Sequence, residues 1–282
     1  MTPAAQPAAL QDVRGPSALG GGTGRFFTLT WLLSVTEFKL NYFGTVFGYL
    51  WSLIRPLALF AVLYTVFTRV VRFGGEFEHY AQLLLLNLTL YSLFSEATTR
   101  AVRSVVTSEN IVRKMQFPRL VIPLSIVTTG LLNLGLNLIM VLVFFTATGV
   151  GPKATWLALP LIVAVLVALT TGVSLLLSAL FVRFRDVFQI WSLVVLVLFY
   201  GSPVLYPVEV IPDGMRFVFF VNPFVPLLEE SRRLVVDPTA PSVVDAAGSV
   251  FGIIGPAMVV LTVCAVGLWT FVRAAPRVAE EL

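Results

Sequence analysis

The sequence has one cysteine, one histidine and few charged residues, and these shortages exclude several classes of protein. A single cysteine, Cys264, allows no disulfide within the chain and no thiolate metal site. Charged residues make up 12% of the 282 residues, hydrophobic residues make up 57%, and the mean hydropathy is +0.91. A soluble domain needs a polar surface around its core, so this composition excludes that class. The chain is predicted to be an integral membrane protein.

Patterns for catalysis and for nucleotide binding are also scarce. The run GGGTGR resembles a phosphate loop, but it lacks the closing Lys-Ser/Thr pair and no strand precedes it. The histidine, His79, lies near Glu76 and Glu78 in a short segment where a metal could bind, although a solvated loop is the simpler interpretation. No pair of inner carboxylates occurs at helical spacing for acid–base work. The sequence therefore predicts no catalytic residue, no metal and no cofactor on this chain.

Six apolar stretches are long enough to cross a bilayer as helices, which takes about 20 residues each. They lie near residues 45–69, 80–100, 120–149, 155–182, 187–206 and 249–272. Backbone polar groups must be paired in lipid, and no alternating ten-residue strands indicate a barrel. The predicted fold class is an all-α integral membrane protein with six transmembrane helices.

The positions of Lys and Arg predict that both termini lie inside. With that orientation the inner segments hold about twice as many of these cations as the outer segments, as the positive-inside rule requires. Residues 1–24 are rich in Pro, Ala and Gly and lack the pattern of a signal peptide. They are expected to form a disordered cytoplasmic tail, residues 25–273 the transmembrane domain and residues 274–282 a second cytoplasmic tail.

Residues 25–42, before the first span, form an apolar segment too short to cross. At helical spacing Thr30, Ser34, Glu37 and Asn41 share a narrow polar stripe. This pattern predicts an interfacial helix with its apolar side in the membrane and its polar stripe toward the cytosol. The alternative is a partly buried helix that packs on the bundle.

The stretch ENIVRKMQFPRLVIPLS follows the second span and concentrates charge and proline in a chain that has little of either. Helix is expected to run past the membrane through Arg100 and Arg103, and a new short cytoplasmic helix is expected at about 109–116. Pro118 ends that helix because it restricts the preceding residue, and Arg119 is expected to anchor the third span at the headgroups. The alternative role of these cations is only to hold the loop inside.

Residues 207–236, before the last span, contain many prolines and two apolar pieces too short to cross. Two short helices, at about 211–221 and 224–234, are expected to dip back from the outer surface as a re-entrant segment. An ordinary outer loop lying on the headgroups is the alternative, because short apolar segments do not fix their depth.

Several stretches together carry a resemblance to a known family. They are NYFGTVFGYLWSLIRPLALFAVLYTVF, FSEATTR followed by ENIVRKMQFPRLVIPLS, the FRDV turn at 184–187, and SPVLYPVEVIPDGMRFVFFVNPFVPLLEESRRLV. In this order, over residues 25–273, they resemble the permease subunit of ABC-2-type polysaccharide exporters, the Wzm-like family that includes teichoic acid export permeases. An arginine-rich composition with abundant Ala, Val and Gly suggests a GC-rich genome, so an actinobacterial galactan exporter is one candidate.

The resemblance implies partners and a cargo. It implies a homodimer in the bacterial plasma membrane that is joined to two separate ATPase subunits, which bind the ATP and Mg²⁺. It implies a lipid diphosphate-linked glycan as cargo, threading a channel between the two permeases. It also implies that the loop after the second span and the amphipathic helix contact the ATPase through Glu109, Asn110, Arg113, Lys114, Met115 and Glu37.

Aromatic stripes are the candidate lining of a sugar channel, because the C–H faces of sugars pack on rings. One stripe lies in the fifth span and two lie in the first: Phe188, Trp191 and Phe199; Phe60, Tyr64 and Phe67; and Phe43, Phe47 and Trp51. Rings in membrane helices also face lipid or pack between helices, so the pore assignment depends on helix rotation.

Arg55 is a cation within a span and is therefore a candidate functional residue. It could contact a lipid diphosphate, snorkel to the headgroups or neutralise Glu96. Two other functions are also compatible with these residues. One is an ABC-2 permease for a drug or small lipid, and the weaker one is a membrane enzyme acting on lipid-linked sugars.

Overall fold

The computed structural model describes residues 23–42, 48, 50–72, 74, 77–108 and 118–274, without the side chain of Asp213. Every regular element in these ranges is helical, and no strand occurs in them. The α-helices are α1 (Thr23–Tyr42), α2 (Leu50–Thr65), α3 (Tyr80–Thr107), α4 (Val121–Ala147), α5 (Leu159–Arg183), α6 (Val187–Tyr200), α7 (Asp213–Phe219), α8 (Phe224–Ser231), α9 (Val243–Ala247) and α10 (Phe251–Ala274).

Each of the six predicted spans contains one α-helix, of 14 to 28 residues, and the predicted all-α membrane fold is confirmed. Leu50–Val70, Val121–Ala147, Ala154–Arg183 and Phe251–Ala274 are long and apolar enough to cross a membrane. Helix α6 is also apolar but has 14 residues, and it ends before the predicted 206. It ends early because Pro203 has no N–H to donate and disfavours helical backbone at Ser202.

Helix α3 is the centre of the bundle, packing on α2, α4, α5 and α6. Its 28 residues are long enough to cross, but it is more polar than the other spans. Burial explains that polarity, because polar side chains inside a bundle are tolerated when they find hydrogen-bond partners. Asn87 Nδ2 donates to the Pro203 carbonyl at 2.9 Å, and the Tyr80 hydroxyl donates to the Leu205 carbonyl at 2.8 Å.

Glycines allow the closest helix pairs of the bundle. A Cβ on Gly172 of α5 would lie 2.8 Å from the Cα of Cys264 in α10, and Gly267 of α10 faces the Gly172 carbonyl. A Cβ on Gly130 of α4 would lie 3.0 Å from Leu93 of α3. Small residues at such crossings let membrane helices approach and gain van der Waals contact.

Helix α1 lies on α4, and its orientation differs from the predicted one. Ser34 is fully buried: its hydroxyl donates to the Ser125 carbonyl at 3.1 Å, and the Thr129 hydroxyl donates to the Ser34 carbonyl at 3.2 Å. Phe27 and Trp31 on the other side are 69% and 57% exposed. The centre of the polar stripe therefore faces protein, as in the packed-helix alternative, because a small serine permits close contact and α4 supplies its partners.

Candidate functional site

A polar cluster lies where α1, α2, α3 and α4 meet near the C-terminal end of α1. Arg100 Nη2 of α3 lies 4.0 Å from Glu37 Oε2 of α1, and both side chains are half-buried. Burial raises the pKa of the Glu37 carboxyl, and the charge of Arg100 opposes that rise. The Tyr42 hydroxyl donates to Asn133 Oδ1 of α4 at 2.8 Å. The cluster thus connects α1 to α3 and α4.

Arg55 belongs to the same cluster. It is exposed on α2, and its charge, like that of Arg100, acts on the Glu96 carboxyl of α3. Both cations also interact electrostatically with the Tyr42 hydroxyl. This arrangement favours the interpretation that Arg55 neutralises Glu96. Two guanidinium groups at one exposed site also suit an anionic phosphate group, so the lipid-diphosphate contact stays a prediction.

The fifth-span aromatic stripe packs on α3 within the chain. Trp191 Nε1 donates to Thr98 Oγ1 at 3.1 Å, and the Phe199 ring lies 5.3 Å from the Tyr91 ring. The guanidinium carbon of Arg103 lies 3.5 Å from the centre of the Phe188 ring. The most exposed side of α6 instead carries Ile190, Leu193, Leu196, Val197 and Tyr200. Packing between helices thus accounts for much of this stripe, whose rings remain half-buried.

The first-span stripe has a similar environment. Phe60 is 8% exposed, and its ring lies 5.6 Å from that of Tyr64 and 5.5 Å from that of Phe144 in α4. Tyr64 stacks near Tyr80 of α3 with its ring centre 6.4 Å away, and Phe67 is half-buried. These rings fill the space between α2 and its neighbours. Phe43 and Phe47 of the alternative stripe lie outside the described residues.

The predicted ATPase-contact loop lies outside the described residues, and so do Glu109, Asn110, Arg113, Lys114 and Met115. Its flanks are described. Helix α3 runs through Arg100 and Arg103 to Thr107, and Arg103 is exposed.

On the other flank Arg119 differs from the prediction that it would anchor at the headgroups, because it is 3% exposed. The next two residues, Leu120 and Val121, belong to an apolar cluster with residues of α1, α3, α5 and α10. Their packing in this cluster places the neighbouring Arg119 inside the protein. Burial lowers the pKa of the Arg119 guanidinium.

The segment at the other end of the bundle begins with buried irregular backbone. Ser202 and Val204 are fully buried, and the carbonyls of Pro203 and Leu205 are paired by α3 as described above. Asn222 Nδ2 donates to Ser202 Oγ at 2.8 Å. Helices α7 and α8 follow within the ranges predicted for two short helices. How deeply they enter the membrane stays a prediction.

An ion cluster centred on Arg232 holds this segment together, and sequence reasoning did not identify it. Arg232 Nη1 lies 2.7 Å from Glu209 Oε2 and 3.1 Å from Glu229 Oε1, and Nη2 lies 3.9 Å from Asp237 Oδ2. Glu229 is 2% exposed, and burial raises its pKa to about 7 against the opposing charge of Arg232. The acid–base spacing in EESRR was an available signal, but Glu209 is distant in sequence.

These features define a class of protein. The chain is a multi-pass helical membrane protein with a polar cluster near one end of the bundle and a compact ion cluster at the other. No group of histidine, cysteine and carboxylate side chains suitable for a metal occurs in the described ranges.

The chain belongs to the ABC-2 type transporter family, whose model matches residues 28–235. It is 30% identical to the O-antigen export system permease protein RfbA of Klebsiella pneumoniae over 76% of this chain and 82% of that protein. It is 28% identical to the RfbA of Myxococcus xanthus, over 73% and 79% of the two chains. It is 21% identical to the polysialic acid transport protein KpsM of Escherichia coli, over 72% and 80%. Membership in a transporter family sets aside the enzyme alternative.

Proposed function

We propose that this chain is the transmembrane subunit of an ABC exporter that moves a lipid-linked polysaccharide across the bacterial plasma membrane. The observation that carries the proposal is its similarity, over most of its length, to permeases named for O-antigen and polysialic acid transport. ATP would be hydrolysed on a separate ATPase subunit, as the match to the ABC-2 type transporter family and to permease proteins suggests. The alternative cargo, a drug or small lipid, has no comparable support.

A reconstituted complex tests the proposal directly. The chain is purified with its ATPase in lipid nanodiscs, and ATP hydrolysis is measured with a lipid diphosphate-linked glycan and with the lipid diphosphate alone. We expect the glycan-bearing lipid to stimulate hydrolysis and to be moved in proteoliposomes. Stimulation by small lipophilic compounds, with no response to the glycan-bearing lipid, would instead support the alternative cargo.

The proposed orientation places both termini in the cytoplasm. Exposed arginines at 103, 183 and 273 lie near the apolar cluster that α1 covers, at one end of α3, α5 and α10. Cations on the cytoplasmic side are the general rule for membrane proteins. This end is therefore assigned to the cytoplasm and the Arg232 cluster to the outside. Two copies of the chain would enclose the channel between them.

The proposed ATPase-contact surface consists of residues 109–116 together with Glu37 of α1. Helix α4 begins a few residues after that loop, and α1 is fastened to α4 through Ser34, Ser125 and Thr129. Glu37 is held near Arg100 at the end of α3 that enters the loop. A displacement of the loop by the ATPase would therefore be passed to α1, α3 and α4 as packed elements.

Charge reversal tests this surface. The double change Arg113→Glu and Lys114→Glu is expected to reduce ATPase co-purification or to separate ATP hydrolysis from export, because complementary charges set the association rate and register. The matched control reverses Arg273 and Arg277, which the orientation also places in the cytoplasm but outside the proposed contact. Equal, mild losses in both pairs would indicate impaired membrane insertion and contradict the contact surface.

The fifth-span rings are the proposed sugar track in the assembled channel. Trp191→Leu with Phe199→Leu is expected to lower export strongly while the complex still assembles. Trp191→Phe is the control, because it keeps an aromatic ring and removes the indole hydrogen bond to Thr98, a contribution of about 1 kcal/mol. Normal surface glycan in the double variant would assign the rings to packing alone.

A further inference from the structure

The second half of helix α3 carries a polar stripe that the chain leaves open. In the first half, residues 82–91 are all buried. Between residues 92 and 105 one face is exposed or half-buried, and every other residue is buried. Spacings of three and four residues place the side chains of that face together. They form the α3 stripe, and all six are polar: Ser92, Ser95, Glu96, Thr99, Arg100 and Arg103.

The α3 stripe lies between α6 on one side and α1 and α2 on the other. The Arg103 guanidinium lies over a ring of α6, and Arg100 Nη2 lies 4.0 Å from Glu37 of α1. The charge of Arg55 in α2 acts on Glu96. Between these neighbours the stripe is open, because the Arg100 side chain is 43% exposed, and Glu96 and Arg103 are exposed as well.

Part of the α3 stripe lies at membrane depth. The predicted span ends at residue 100, and Ser92 is about 12 Å from Arg100 along the helix axis, at about 1.5 Å per residue. The hydroxyls of Ser92 and Ser95 donate to carbonyls one turn earlier in α3, at 2.8 and 3.3 Å. The charge of Glu96 has no such option within its own helix. Charged groups at this depth face protein or water and not hydrocarbon, because lipid tails solvate no charge.

Water accounts for the open stripe better than a dry contact with a second copy of the chain. The cations Arg55, Arg100 and Arg103 outnumber the carboxylates Glu37 and Glu96 on this surface, which is therefore net positive. Two symmetric copies in contact would present the same surface to each other. Like charges would then be removed from water and brought together, which costs hydration and repulsion.

We infer that the α3 stripe is a water-facing wall of the cargo path in the cytoplasmic half of the membrane, and that its hydroxyl groups bind the sugar units. This inference rests on the proposed function. Serine and threonine hydroxyls both donate to and accept from sugar hydroxyls, and the arginines at the inner end of the stripe suit a diphosphate. The rings of α6 lie beside the stripe, so a polar wall adjoins an aromatic one. The open wall ends at Ser92, since α3 is covered before it.

Cysteine accessibility tests whether this wall is hydrated. Ser92→Cys, Ser95→Cys and Thr99→Cys are made singly in a Cys264→Ala background, in the complex with its ATPase in nanodiscs. A negatively charged methanethiosulfonate reagent is added, and the rate of modification is followed by mass spectrometry. All three sites are expected to react, because the thiolate is the reactive form and it persists only where water reaches it.

Two control sites separate water from lipid and from protein. Leu193→Cys lies on the apolar exposed face of α6, where Leu193 is 62% exposed, and it should react slower by on the order of tenfold. Thr89→Cys lies on α3 three residues before Ser92, at a position that is 0% exposed, and it should stay unmodified. A rate at Ser95→Cys as low as at Leu193→Cys overturns the inference. So does reaction only after detergent separates the two copies, which would indicate a dry contact between them.

Adding the cargo tests the sugar contact separately. Lipid diphosphate-linked glycan at about ten times its Kd is expected to slow modification of Ser95→Cys about tenfold, as site occupancy requires, and the lipid diphosphate alone is expected to slow it less. In a complex whose ATP hydrolysis the glycan stimulates, unchanged modification overturns the sugar contact. Protection by a small lipophilic compound, with none by the glycan, contradicts the proposed function and leaves the hydrated wall in place.

Discussion

Replacing Arg232 by Gln removes the centre of the ion cluster that joins α8 to the residues on both sides of it. The Arg232 side chain is 11% exposed and that of Glu229 is 2% exposed, so the pair is largely shielded from water. Removing one partner of a buried ion pair costs about 3–5 kcal/mol, because the other charge is left uncompensated. Glu229 can take up a proton, since its pKa is already raised to about 7, and this limits the loss to the lower end of that range.

The assay is thermal unfolding of the purified chain in detergent, followed by fluorescence-detected size exclusion. A loss of about 3 kcal/mol corresponds to a decrease in Tm of about 6–12 °C, at 2–4 °C for each kcal/mol. Arg233→Gln is the matched control. Its pair with Glu230 is more exposed, with side chains 37% and 27% accessible, so its loss should be under about 1 kcal/mol.

A double-mutant cycle gives the result that would refute this reasoning. In a Glu229→Gln background no buried carboxylate is left behind, so Arg232→Gln should be much less destabilising there than in the parent chain. If Arg232→Gln lowers the Tm equally in both backgrounds, then the buried pair is not what stabilises this segment.

Two further predictions concern titration and charge. Burial raises the Glu229 pKa from 4.5 to about 7, so the folded protein keeps a proton that the unfolded chain releases. The free energy of unfolding should therefore decrease as pH rises from about 5 to 8, by at most about 3 kcal/mol. Glu229→Gln should remove this pH dependence of the Tm. The same comparison in a His79→Gln background excludes the histidine as its source. Arg55→Gln should weaken stimulation of ATP hydrolysis by lipid-linked glycan while basal hydrolysis stays. If adding Glu96→Gln restores that stimulation, Arg55 acts by neutralising Glu96 and not by binding diphosphate.

Helix content and the positions of the long apolar helices could be predicted from the sequence because lipid leaves the backbone little choice. An apolar run in hydrocarbon must pair its own N–H and C=O groups, so length and composition are enough to place α2, α4, α5 and α10. Short elements followed from local chemistry as well. Prolines around α7 and α8 divide the segment before α10 into pieces too short to cross.

The rotation of each helix and the pairing of distant residues were decided by tertiary structure. Ser34 was expected at the cytosol but is buried on α4, because periodicity shows which residues share a face and not what that face meets. The rings at 188, 191 and 199 share a face as predicted, yet packing on α3 explains their positions within one chain.

The ion cluster shows the same division. The i,i+3 pair of Glu229 and Arg232 could be read from spacing. The contact between Glu209 and Arg232 could not be predicted from spacing. Buried irregular backbone between α6 and α7 brings Glu209 close to Arg232, and hydrogen bonds from α3 hold that backbone in place. The sequence by itself determined which segments are helical and belong in lipid, since that depends on local composition. The tertiary structure decided which polar groups meet, since that depends on contacts between residues far apart in the chain.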